Sequence, residues 1–154
     1  MESCQCKTCK NACKSRPGWV NPEQVKILME YFRVTSIRDL LGENKFAIDW
    51  WNGNDADILI LAPNIKGNNN IQYPKDPRGE CVFFKNDKCE IHTIKPFECA
   101  SFIHTDSGRA VEKRHEKVSQ LWAKSDILSD FEDEIECESF GLFDQLGLGG
   151  FLGY

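Results

Sequence analysis

The sequence predicts an α+β fold: a small, mostly helical single domain with a short β-hairpin and a cysteine-rich metal site. Three observations point there. Apolar residues recur at helical spacing over 22–33 and 108–124. Short apolar runs bounded by turn residues fall at 57–62 and 81–92. Cysteines gather in two distant clusters. A chain of 154 residues is the size of one domain and buries a core of its own, so the fold need not depend wholly on a metal.

Residues 1–18 read as a cysteine-bearing loop closed by Pro17-Gly18. Asn21-Pro22-Glu23-Gln24 is a helix start, with an asparagine cap, proline at the first helical position and glutamine three residues after the cap. Val25, Leu28, Met29 and Phe32 continue it to about residue 33, and a shorter helix runs from Ser36 to Leu41 and stops at Gly42. Residues 46–51 are apolar without a clear period, and 57–62 read as a buried strand ended by Pro63. The Asn-, Gly- and Pro-rich stretch 63–80 reads as a loop. Cys81–Phe84 and Cys89–His92 read as two short strands joined by turn residues Asn86-Asp87, and 95–99 begin a helical turn. Ala110, Val111, Val118, Leu121 and Trp122 share one face of a helix over 108–124. The organisation is therefore 1–125 as the cysteine-cluster domain, with 126–154 an acidic and then Gly/Leu/Phe-rich C-terminal segment of the same domain. Residues 126–138 hold seven acids and no Lys or Arg, and read as a solvated helix or tail able to engage a basic partner protein.

Composition excludes several classes. A net charge of -5 gives no case for nucleic acid binding. No apolar run approaches the ~20 residues of a membrane span. The first residues lack the apolar core of a signal peptide, which implies a cytoplasmic protein. In that compartment thiols stay reduced, and clustered cysteines mean metal or redox chemistry.

The eight cysteines are unevenly spread: Cys4, Cys6, Cys9 and Cys13, then none for 67 residues, then Cys81, Cys89 and Cys99, with Cys137 alone. The first four lie among Lys, Gln, Asn and Glu, where no core uses them. Cys6-x2-Cys9-x3-Cys13 lets sulfurs converge, and thiolates suit zinc or an iron–sulfur cluster such as 4Fe–4S. Lys7, Lys10, Lys14 and Arg16 offset the negative charge of such a site. Cys6, Cys9, Cys13, Cys81, Cys89 and Cys99 are the metal-ligand candidates, with Cys4 and His104 as outlying ones. Cys137 stands between two glutamates, which disfavour its thiolate. His92 reads as exposed or structural, and His115 as lying on the solvated face of its helix.

The run Gly79-Glu80-Cys81-Val82-Phe83-Phe84 through Cys89-Glu90-Ile91-His92 to Lys95-Pro96-Phe97-Glu98-Cys99 resembles the CxxCxxCC family, the YkgJ-like cysteine cluster proteins. The resemblance spans roughly residues 4–105. Cys81, Cys89, Cys99 and Pro96 match the family pattern, while His92 stands for its tyrosine and Lys95 for its arginine. At the N-terminus Ala12 stands at the first position of its Cys-Cys pair. The resemblance implies zinc or iron chelation. Through the flagellin lysine methylase, which carries a related cluster, it also makes a redox or group-transfer enzyme conceivable. No complete catalytic motif, cofactor-binding glycine fingerprint or phosphate loop is present. The remaining alternative is an adaptor with a structural zinc site and an acidic partner-binding tail.

Overall fold

The computed structural model describes residues 6–52, 57–101 and 107–135. Cys4, His104, Cys137 and the Gly/Leu/Phe-rich end fall outside them. The fold is α+β with more helix than strand, as the periodicities predict.

The first element departs from expectation. Residues read as a loop form helix α1, Lys7–Ser15. Cys9 and Cys13 stand four apart and share a face with Ala12, while Lys7, Asn11 and Lys14 are turned to water. The helical period is present once cysteine is counted as an apolar residue, which the polar neighbours obscured. The Pro22–Gln24 turn leads into α2, Val25–Phe32, and the Gln24 amide oxygen accepts from the Asn21 N–H at 2.9 Å. Helix α2 ends where Arg33 turns left-handed at φ 57°. Helix α3, Ile37–Leu41, starts where the Ser36 hydroxyl accepts from the Asp39 N–H at 3.0 Å.

The apolar run without a clear period is strand β1, Phe46–Asn52. It pairs antiparallel with β2, Asp57–Pro63, in the register Ile48 to Leu61. Phe46, Ala47, Ile48, Ile60, Leu61 and Ala62 are fully buried, so neither strand alternates. The stretch 63–80 is a loop stitched to both strands: Ile48 of β1 bridges Gln72 and accepts from the Tyr73 N–H at 2.9 Å, and the Tyr73 hydroxyl donates to the Pro63 carbonyl of β2.

The second hairpin is shorter than expected. Strands β3, Phe84–Lys85, and β4, Lys88–Cys89, pair Phe84 with Cys89. Asn86 and Asp87 both have positive φ, 51° and 65°, the turn geometry these two residues tolerate. Cys81 leaves the hairpin because its backbone is used elsewhere: it bridges Ile65, and its N–H donates to the Cys13 carbonyl at 2.8 Å. Residues 92–94 wind into a 3₁₀ turn before Pro96, and α4, Phe97–Ser101, follows.

Helix α5, Gly108–Ala123, packs Val118 and Trp122 on β2, and the Trp122 indole N–H donates to the Val20 carbonyl at 2.6 Å. Leu121, expected in the core, is exposed. It lies a third of a turn from Trp122, beyond the width of the buried stripe. The acidic stretch is not simply solvated. Leu128, Phe131 and Ile135 are buried in the common core while Asp126, Asp130, Glu132, Asp133 and Glu134 face water. Position 126 is therefore no boundary of the packing. Among the described residues no helix is long and apolar enough to cross a membrane.

Candidate metal centre

Cys9, Cys13, Cys81, Cys89 and Cys99 line one cleft of about 270 Å³, between α1, the β3–β4 hairpin and α4. Cys6 caps the N-terminus of α1 and is not on its wall. The elements are tied by backbone. The Gly79 N–H donates to the Ser15 carbonyl at 2.7 Å and the Cys81 N–H to the Cys13 carbonyl at 2.8 Å, which joins α1 to the run before the hairpin. The Lys10 ammonium pairs with Asp87 at 2.7 Å and joins α1 to the hairpin turn.

Pro17 and Gly18 form part of the cleft wall, and the chain runs on from them into Trp19. The Gly18 N–H donates to the Cys99 sulfur at 3.3 Å. A Cβ at Gly18 would stand 2.9 Å from that sulfur and 2.8 Å from the Cys99 nitrogen, so only glycine allows this approach. Trp19 is anchored twice, its backbone N–H on Glu98 at 2.8 Å and its indole N–H on Asp49 at 2.9 Å. Buried Asp49 also accepts from Arg16 at 2.7 Å, which holds that guanidinium on the cleft wall.

Four thiols form an electrostatic group. Cys13, Cys81, Cys89 and Cys99 carry free thiols. Burial pushes the Cys81 thiol up to about 12, with the Cys89 and Cys13 charges adding to it. Burial, then Cys81, raises Cys99 well above the ordinary thiol range. Burial raises Cys13 and Cys89 as well, the charge on Cys89 adds to the rise at Cys13, and the Lys95 ammonium opposes it at both. Burial and their mutual repulsion therefore favour the protonated form of all four thiols.

The donor set bears on zinc and on an iron–sulfur cluster differently. Sulfur donors in a desolvated cleft lined by Lys10, Arg16, Lys88, Lys95 and Arg114 match a soft, thiolate-ligated group in kind and charge. The spacing is wider than one ion needs. Sulfurs 2.3 Å from zinc lie ~3.8 Å from one another, and among the described residues no three His, Cys, Asp or Glu side chains are grouped so as to hold a metal ion.

One pair on this wall was missed from the sequence. His115, read as solvated, is half-buried. Its Nδ1 lies 2.6 Å from Oε2 of buried Glu98, and its ring lies 4.3 Å from that of Trp19. Its charged neighbours Arg114, Glu116 and Lys117 masked the inward face. Its spacing of three and seven from Val118 and Trp122 was the available signal. His92 is exposed on the rim, as read, with Nδ1 3.4 Å from the Lys95 ammonium. Compared with known proteins, the chain matches no family model, no curated protein and no solved structure.

Proposed function

We propose that this chain is a metal-binding protein of the CxxCxxCC type, holding an iron–sulfur cluster, or else zinc, through cysteines of α1 and of the 81–99 segment. One observation carries the reading. Cysteines from positions 9 to 99 line a single cleft, and four of their thiols interact with one another. Cys13, Cys81, Cys89 and Cys99 are the inner ligands, and Cys9, behind them on the α1 face, supplies a fifth sulfur. Cys6, at the N-cap of α1, does not line this cleft. A group bound there would stabilise the fold by linkage and would supply electron transfer if iron–sulfur, or a structural cross-link if zinc.

A second reading, a redox or group-transfer enzyme with an open cluster position, is favoured by the size of the cleft and by its histidine–carboxylate wall.

The deciding experiment is a visible spectrum with elemental analysis on protein purified without oxygen. A brown sample with iron and sulfide is the expected result. A colourless sample carrying zinc selects the structural alternative, and a sample without metal overturns the reading. Cys9→Ser and Cys89→Ser should each lower the bound metal, and unchanged content in both would sink the shared site.

A further inference from the structure

The Glu98–His115 pair is not used by the all-cysteine reading, yet it stands on the same wall. Glu98 is buried, and both of its oxygens are committed: Oε1 accepts from the Trp19 N–H at 2.8 Å, and Oε2 meets His115 Nδ1 at 2.6 Å. The contact with Oε2 engages Nδ1 and leaves Nε2, on the other side of the ring, as the nitrogen that Glu98 does not engage. The ring is also held in place, 4.3 Å from Trp19 and 6.0 Å from Trp51. Glu98 precedes Cys99 in α4, and both line the cleft with His115. A buried carboxylate that orients an imidazole through one nitrogen is the arrangement metal-ligating histidines use, because it sets both ring orientation and basicity.

We infer that His115 is a nitrogen ligand of the centre in the cysteine cleft, presented by α5 and oriented by Glu98. The inference rests on the metal-binding reading and gives the centre a mixed sulfur and nitrogen shell. It also gives α5 a part in the site. Otherwise the ligands come only from α1 and the 81–99 segment. Histidine in place of one cysteine removes a negative charge from the shell and raises the reduction potential of a cluster.

The test uses the full chain loaded with iron and sulfide without oxygen, reduced, and labelled with 15N-histidine. Pulsed electron paramagnetic resonance of the wild type should show a histidine-nitrogen coupling that is lost in His115→Ala and kept in the His92→Ala/His104→Ala double variant. His115→Cys should retain the cluster and move its potential to more negative values, a shift that a packing role would not produce. Near-ultraviolet circular dichroism of the tryptophans shows whether each variant keeps the fold. If His115→Ala does not fold, the double variant still decides, since loss of the coupling there overturns the inference. A wild-type cluster without histidine coupling overturns it while leaving the cysteine site standing. If the protein carries zinc, X-ray absorption should show a nitrogen at about 2.0–2.1 Å among sulfurs at about 2.3 Å, and an all-sulfur shell overturns the inference. A wild type that takes up neither metal removes the site and the ligand together.

Discussion

The β1–β2 hairpin pairs seven residues on each strand and takes Phe46, Ala47, Ile48, Ile60, Leu61 and Ala62 wholly out of water. The β3–β4 hairpin pairs two, and of its four strand residues two are lysines, one is a cysteine and one is Phe84. The first is held by burial, which needs no partner outside the chain. The second is held by a left-handed Asn86-Asp87 turn, by Lys10 on Asp87, and by backbone bonds from Gly79 and Cys81 to α1. One region supplies stability. The other spends little apolar area and gathers thiols that disfavour ionisation together. The difference teaches that the two hairpins are stabilised in different ways, the first by burial and the second by its turn and by contacts with α1.

Breaking the first region should have the largest effect. Phe46→Ala removes a ring packed 5.3 Å from Phe83 and 5.7 Å from Phe32. It should cost about 3–5 kcal/mol in chemical denaturation, with or without metal. A loss confined to the metal-free protein would show that the core does not stand alone.

Gly18→Ala strikes the second region. Its Cβ meets the Cys99 backbone at 2.8 Å and the Glu98 Cβ at 2.9 Å, so it should cost about 1–3 kcal/mol. Because it also shifts the Cys99 sulfur, bound metal should fall, as read by elemental analysis. Full metal content at reduced stability would separate Cys99 from the site.

Alkali sharpens the comparison. Below pH 9 the thiols are protonated in both folded and unfolded chains, and they contribute no slope. Between about 9 and 12 the unfolded chain releases the Cys81 proton while the folded chain keeps it. The unfolded state then binds fewer protons, so the stability of the metal-free protein should fall as pH rises through that window. Cys13, Cys89 and Cys99 shift the same way and add to the fall. The metal-loaded protein, with its thiolates already formed, should lack this slope in melting temperature against pH.

The smallest effect belongs to the surface of the core region. Arg38 pairs with Glu134 at 2.9 Å, both side chains largely exposed. Glu134→Gln should cost less than about 1 kcal/mol and vanish at high salt, as measured by thermal melts. A larger cost would mean that the acidic stretch is anchored by charge rather than by Leu128, Phe131 and Ile135.

The sequence by itself determined the elements whose signals are local. The Asn21–Gln24 start of α2, the Ser36 cap of α3, the Asn86-Asp87 turn, most of α5 and the buried run of β2 follow from caps, turn preferences and periodicity, which act within a few residues. The expectation that no core uses the N-terminal cysteines fails for Cys9, which is buried, and for Cys13, which packs against the core. Tertiary structure alone decided three things. Residues 7–15 became helix because Cys9 and Cys13 had an apolar cleft to face. Cys81 left its hairpin because the Cys13 carbonyl and Ile65 offered it backbone partners. His115 turned inward because Glu98, seventeen residues earlier and buried, needed a partner for its second oxygen. Each of those outcomes depends on a group distant in sequence, whose position exists only once the chain has closed on itself.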